Sequence, residues 1–142
     1  MLKPLIFTVT VATLSTGAWA QGKHVHGEGT LEVVLDRNVV VLSLTLPMDV
    51  AMGFERPPRN AQEHAELDKA IRVLNEPEGL WTWPAQAECK YQGHQVEKPQ
   101  FKRGHADLLA NYSFECAKPA ALQAGNTALF AQFKRLKQLD VQ

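Results

Sequence analysis

The sequence has little that marks an enzyme, a nucleic-acid binder or a membrane protein. It contains no Gly-x-Ser-x-Gly elbow and no His-Glu-x-x-His pair, the motifs of many serine hydrolases and zinc peptidases. Its 15 basic and 15 acidic residues balance, so no positive surface for nucleic acid is indicated. Internal repeats and low-complexity tracts are missing, and the longest apolar run is too short to span a bilayer. These features favour a globular domain that is not an enzyme.

The first twenty residues have the pattern of a secretory signal peptide. Lys3 provides the positive start, residues 5–14 the apolar core, and Ala18-Trp19-Ala20 a cleavage site. The pattern predicts a signal peptide over residues 1–20 and a single mature domain over residues 21–142. We therefore expect an exported protein with no membrane span after cleavage.

Cysteine is scarce, with only Cys89 and Cys116 in the chain. An even count in an exported protein favours a disulfide between the two residues, with ligation of a metal by their thiolates as the alternative. The loop that this bond closes would stabilise the fold by roughly 3 to 4 kcal/mol in the chain-entropy model.

Alternating apolar residues over residues 30–36 and 39–46 predict a β-hairpin that turns at Arg37-Asn38. In an antiparallel hairpin the numbers of any two paired residues add up to the same value. If Asp36 pairs with Val39, the same register can be extended to residues beyond the two strands. Two further pairs follow: His26 opposite Asp49, and His24 opposite Ala51.

A second hairpin is predicted between the two cysteines. If Cys89 pairs directly with Cys116, His94 falls opposite Asn111, and residues 95–110 form the distal end of the hairpin. His105 then lies near the tip. His94 and His105 would share an ion if this tip folded back on itself.

Two helices and a final strand complete the predicted fold. Asn60, with Glu63 three residues later, is expected to cap a helix that ends before Pro77. A second helix is expected from Asn126, with one apolar face: Leu129, Phe130, Phe133 and Leu136. Residues 139–141 begin a last strand. This order predicts an α+β fold, with two helices packed on a mainly antiparallel sheet of two hairpins and a C-terminal strand.

Two apolar features between the predicted elements have both a structural and a functional interpretation. Gly53-Phe54-Glu55 followed by Pro57-Pro58 predicts an irregular connection without a regular helix, in which Phe54 anchors the core and Glu55 is an exposed carboxylate or a metal ligand. Trp81 and Trp83 lie on one side of an extended segment. They could stack a ligand, but we expect them to cover the core.

The segment His24-Val25-His26 provides the main candidate for chemistry. In an extended chain, side chains two residues apart project to the same face, so the two imidazoles can hold one zinc-sized ion. Binding should weaken at acid pH, as imidazole takes up a proton. The pair is a short motif, and the alternative is a processed N-terminus without a metal site.

Three motifs together resemble the ZrgA-like family of zinc-binding periplasmic proteins from about Lys23 onward: His24-Val25-His26-Gly27, Gly53-Phe54-Glu55 before prolines, and Cys89 with Cys116 before Pro119-Ala120-Ala121-Leu122. The resemblance implies a non-catalytic periplasmic accessory protein of zinc uptake or homeostasis. Its implied partners are a zinc ion and a zinc importer or the importer's binding protein. By this resemblance His24, His26 and Glu55 would be zinc ligands.

The chain departs from the family pattern at three places. Members usually carry a long histidine-rich insertion where this chain has residues 93–106, with His94 and His105 as further candidate ligands, so a high-capacity zinc buffer is not expected. Arg56 stands where the family often has histidine. The family continues for one or two strands beyond the position of Gln142, so the sheet edge there is expected to need covering.

These observations leave three hypotheses about function. The leading one is a periplasmic zinc-binding protein in which Glu55 or Asp49 completes a site with His24 and His26. The second is a structural or protein-interaction domain that has lost metal binding together with the histidine-rich loop. A small hydrolase is the least supported of the three, because no nucleophile motif is present.

Overall fold

The fold is α+β, as predicted, and is described by a computed structural model for residues 26–101 and 105–142. Its strands are β1 (Glu28–Asp36), β2 (Val39–Pro47), β3 (Trp81–Thr82), β4 (Cys89–Glu97), β5 (Asp107–Cys116), β6 (Asn126–Thr127) and β7 (Gln138–Val141). Its α-helices are α1 (Met48–Met52), α2 (Ala61–Leu74), α3 (Pro77–Leu80) and α4 (Leu129–Gln132). One sheet has the order β4-β5-β2-β1-β7, and β3 pairs with β6 in a second, two-stranded sheet.

The first hairpin has the predicted turn and the predicted register. Asp36 pairs with Val39 across Arg37-Asn38, and the antiparallel ladder of β1 and β2 keeps the same register down to Thr30 and Thr45. Arg37 takes a positive φ of 57°, a conformation that suits a two-residue hairpin turn. Residues just beyond the ladder, His26 and Asp49, are therefore brought to the same end of the sheet.

The C-terminal strand is confirmed, and its pairing was not predictable from the pattern. β7 runs parallel to β1, with Glu28 opposite Gln138 and Leu31 opposite Val141. The sheet is thus antiparallel except for this pair. β7 forms one edge of the five-stranded sheet.

The second hairpin confirms the disulfide and corrects its register. Cys89 pairs with Cys116 and is bonded to it. A β-bulge between Tyr91 and Gly93 then shifts the ladder by one residue, so that His94 lies opposite Tyr112 and not, as predicted, opposite Asn111. The extra residue also turns His94 to the face that carries Tyr91 and Tyr112, since side chains alternate along a strand.

Helix α2 begins as predicted. Asn60 Oδ1 accepts a hydrogen bond of 2.9 Å from the backbone N–H of Glu63, and the helix ends at Leu74. The Glu63 carboxylate accepts from the backbone N–H of Arg59, one residue before the cap, at 2.7 Å. The first turn of α2 therefore has the two reciprocal interactions of a capping box, except that the carboxylate accepts from the residue before the cap and not from the cap residue itself.

Three features of the helices differ from the prediction. Residues 48–59 do contain a helix, α1, which ends at Gly53 before the two prolines disrupt the backbone. α3 is an additional short helix that starts at a proline. The second predicted helix is reduced to the single turn α4, because Asn126 belongs to a strand and does not cap it. Phe130 consequently points outward, with 44% of its surface exposed, whereas Leu129, Phe133 and Leu136 are buried.

The core lies between the sheet and the helical segments, and it includes both tryptophans. Trp81 packs edge-on against Tyr112 at 5.5 Å between ring centroids, and Trp83 packs against Phe114 at 5.3 Å. Phe54 also packs on the core. The structural interpretation of these aromatic residues is thereby confirmed. In the part of the chain that the structure describes, no helix is long and apolar enough to cross a bilayer.

Candidate metal site

The hairpin register brings His26 and Asp49 into contact. His26 lies in the turn before β1, and Asp49 lies in α1 directly after β2. His26 Nδ1 is 3.0 Å from Asp49 Oδ2, and the backbone N–H of Gly27 donates to the same oxygen at 3.1 Å. The carboxylate is therefore oriented by two donors at the end of the hairpin.

Glu55 reaches the same place because α1 ends abruptly. Gly53 adopts a left-handed conformation with φ of 81° and its N–H donates to the carbonyl of Asp49 at 2.8 Å. The chain then folds back, and Glu55 returns to the side of Asp49. One ligand atom from each of His26, Asp49 and Glu55 lies within 4.8 Å of the others. Among the described residues this is the one group of three or more histidine, cysteine or acidic side chains with that spacing.

His105 places a second imidazole beside Glu55, outside the group of three. Its Nδ1 lies 2.6 Å from Glu55 Oε2, although the two residues are 50 positions apart in the chain. The segment before β5 is held beside α1 by a hydrogen bond of 3.0 Å from the N–H of Met48 to the carbonyl of Ala106. His105 thus approaches the carboxylates from the tip of the second hairpin.

The four side chains differ in exposure in a way that suits reversible ion binding. The side chains of Asp49 and Glu55 are 13% and 18% exposed, whereas those of His26 and His105 are 82% and 62% exposed. The two carboxylates are thus mostly buried, and the two imidazoles are mostly exposed. Carboxylate oxygen and imidazole nitrogen are both ligands that zinc accepts.

The sequence matches the model of the ZrgA family zinc uptake proteins over residues 23–142. The chain belongs to the ZrgA family. This membership gives it a zinc-related role and agrees with the resemblance seen in the sequence. No curated protein matches the chain.

The structure brings together some of the predicted ligands of this ZrgA family member and leaves others apart. His26 and Glu55 meet, together with Asp49, which the hairpin register had placed opposite His26, and His105 contacts Glu55 of this group. His24 and the predicted signal peptide lie outside the described residues.

His94 is placed in a different environment. Its Nε2 lies 2.9 Å from Asn75 Oδ1, its Nδ1 contacts the Tyr91 hydroxyl, and its ring stacks on Tyr112 at 6.0 Å between centroids. The structure does not bring His94 and His105 together, because His94 lies opposite Tyr112 well inside β5, whereas His105 precedes β5 and contacts Glu55. His94 is bound by polar and aromatic neighbours of the sheet and of α2.

Arg56, which directly follows Glu55, is turned toward α2. Its two terminal nitrogens donate to the two carboxylate oxygens of Glu63, at 2.7 and 2.8 Å. Its guanidinium carbon also lies 4.2 Å from the centre of the Phe54 ring. Arg56 therefore holds the connection that carries Glu55 onto the first turn of α2.

The three candidate ligands line a cleft, and this cleft is also lined by residues that the sequence analysis missed. Lys134, Arg135 and Lys137 line it together with His26, Asp49 and Glu55, and the cleft has a volume of about 520 Å³. The only sequence signal was a run of basic residues after Phe133, which is ordinary for a solvated surface. Tertiary packing alone places this run beside residues that lie some eighty positions earlier.

Proposed function

We propose that this ZrgA family protein is an exported, periplasmic accessory protein of zinc uptake that binds zinc reversibly and catalyses no reaction. The observation that carries the proposal is the convergence of His26, Asp49 and Glu55, whose ligand atoms lie within 4.8 Å of one another. His105, hydrogen-bonded to Glu55, is a further imidazole next to this group of three, and His24 lies outside the described residues.

The positions of the carboxylates and imidazoles support zinc binding with little rearrangement of these side chains. Each carboxylate is already within hydrogen-bond distance of an imidazole: Asp49 of His26 and Glu55 of His105. A zinc ion would replace the protons shared in these two pairs, because it needs neutral imidazole and ionised carboxylate. Asp49 keeps the backbone N–H of Gly27 as a fixed donor. Such outer hydrogen bonds hold a ligand in its binding orientation.

The exposure of the two imidazoles supports a role in transfer. A structural zinc site is normally closed to solvent, whereas the side chains of His26 and His105 are mostly exposed. A partner can therefore approach the ion from the imidazole side. The partner that fits this role is a zinc importer or its binding protein, to which the ion is handed over.

The experiment is zinc titration of the mature, oxidised and tag-free protein by calorimetry at neutral pH. Two variants test the site: the double substitution His24→Ala/His26→Ala, and Glu55→Gln. We expect each to weaken zinc binding by at least about tenfold, since even residues outside the ligand shell contribute that much in known sites. His94→Gln is the matched control, because His94 is hydrogen-bonded away from the cluster.

Equal affinity in the parent and both site variants would exclude this cluster. No zinc binding by the parent would overturn the proposal. A protein-interaction domain with the family fold but without metal chemistry would then be the better description. Loss of binding in His94→Gln alone would move the site to the second hairpin.

A further inference from the structure

The cleft that contains the proposed zinc site has cationic side chains that the site does not use. Lys134, Arg135 and Lys137, the basic wall, line the same cleft as Asp49 and Glu55. Among the described residues, none of these three cations has a carboxylate oxygen within 4.0 Å. The opposite charges thus share a cleft without pairing with each other.

Arg135 is the cation closest to the carboxylate-bearing loop. A Cβ atom built on Gly53 would stand 2.8 Å from Arg135 Nε and 3.2 Å from Nη2, so the guanidinium packs against the backbone two residues before Glu55. Glu66 lines a neighbouring cleft that Lys134 and Arg135 also border, yet it forms no ion pair with either residue in the described part of the chain. The guanidinium is therefore available to an anion in the cleft.

Metal binding would change the charge balance of this cleft. The two positive charges of a zinc ion would balance the two negative charges of Asp49 and Glu55, and Lys134, Arg135 and Lys137 would be left without a counter-charge among the residues that line the cleft. A wall of one sign of charge attracts a mobile ion of the opposite sign. The loaded cleft therefore favours an anion.

The proposed ligand set and the size of the cleft agree with this conclusion. His26, Asp49 and Glu55 supply three ligands, whereas zinc commonly takes four, and sites with three protein ligands keep the fourth position for water or substrate. The volume of about 520 Å³ far exceeds the roughly 30 Å³ that one water occupies in the liquid. A small anion fits beside the ion, and an oxyanion can bind zinc and a guanidinium at the same time.

We propose that the cleft binds zinc together with a small oxyanion, a carboxylate or a phosphate, which takes the open position on the ion and is held by Arg135 with Lys134 and Lys137. The inference rests on the proposed zinc site. It identifies the cargo as a zinc–oxyanion complex and assigns the basic wall a role in binding it.

The test uses Co²⁺ in place of zinc, because the visible absorption of Co²⁺ reports changes in its ligands. The mature, oxidised protein is loaded with Co²⁺ and titrated separately with acetate and with inorganic phosphate, at neutral pH and constant ionic strength. We expect the absorption bands to shift and saturate with at least one of the two anions, and the one that binds more tightly identifies the class. Arg135→Gln should weaken the anion by about tenfold with Co²⁺ affinity little changed, as expected for loss of a charged hydrogen bond.

Arg72→Gln is the matched control, since it removes the same charge from an exposed residue of α2 that does not line the cleft. Lys137→Gln provides a second variant in the wall should Arg135→Gln fold poorly. The inference would be overturned if neither anion shifted the Co²⁺ bands. It would also be overturned if the anion bound equally tightly to the parent, Arg135→Gln and Lys137→Gln. Either result would leave the proposed zinc site unaffected. Absence of Co²⁺ bands in the parent would overturn the zinc site itself, and the inference with it.

Discussion

Arg56 and Glu63 form a two-point ion pair, with nitrogen–oxygen distances of 2.7 and 2.8 Å, that ties the connection carrying Glu55 to the first turn of α2. A guanidinium matches a carboxylate at two points, and a lysine ammonium does not. Arg56 keeps the neighbouring Glu55 in place without contacting the proposed ion.

The substitution Arg56→Lys should therefore weaken zinc binding without removing a ligand. We expect a loss of about tenfold, the scale typical of residues that orient a metal ligand, measured by competition with a chelator of known affinity. Arg59→Lys is the control, because Arg59 contributes its backbone N–H, at 2.7 Å from Glu63, and this contact survives the change. Zinc affinity equal to that of the parent in Arg56→Lys would contradict the positioning role.

The same ion pair makes part of the stability depend on pH. The hydrogen bond from Arg56, assisted by the N–H of Arg59, lowers the pKa of Glu63 to about 2, from an ordinary value of 4.5. A depressed carboxyl pKa contributes stability that is fully present above the unfolded value, and this contribution is lost as pH falls from about 4.5 to about 2. Urea unfolding at pH 5 and at pH 3 measures the loss. The parent should lose more stability between these values than Glu63→Gln, and an equal loss in both proteins would contradict the assignment.

The disulfide should stabilise the fold without affecting the proposed zinc site. Cys116 lies at the opposite end of β5 from Asp107, roughly 30 Å along a ten-residue strand, and Asp107 is two residues from His105. The double substitution Cys89→Ala/Cys116→Ala should lower the free energy of unfolding by roughly 3 to 4 kcal/mol, because the bond closes a long loop. Urea unfolding and zinc titration check the two parts. Loss of zinc binding in the folded variant would show that the two regions are coupled.

Gly53 is expected to be intolerant of a side chain because its φ of 81° is unfavourable for any residue with a Cβ, at about 1 to 2 kcal/mol. The guanidinium of Arg135, 2.8 Å from such a Cβ, is the end of a flexible side chain and can move away. Gly53→Ala should therefore lower the unfolding midpoint in urea. Gly79→Ala is the matched control, because a Cβ at that position meets nothing within 4 Å and should be neutral or slightly stabilising. Similar midpoints for Gly53→Ala and the parent would contradict this account.

The sequence by itself determined those features that depend on short-range periodicity and local chemistry. Alternation of apolar residues with a two-residue turn at Arg37-Asn38 determined the register of β1 and β2, and the register alone placed His26 opposite Asp49. A slip of one residue would have moved every apolar side chain of the strand to the wrong face, and the two-residue turn excludes longer slips. The cap at Asn60 and the pairing of Cys89 with Cys116 followed from equally local signals.

The tertiary structure decided what depends on packing between distant segments. The bulge beside Gly93 reversed the side of His94, and the pairing of Asn126 with β3 left only one turn for α4. Neither the bulge nor this pairing is indicated by a periodic pattern in the sequence, because each depends on which backbone groups form hydrogen bonds across the sheet. The contact of Glu55 with His105 and the position of Arg135 beside Gly53 arise in the same way. The carboxylates, His26 and the basic wall share one cleft because packing brings together α1, the turn before β1 and the segment before β7.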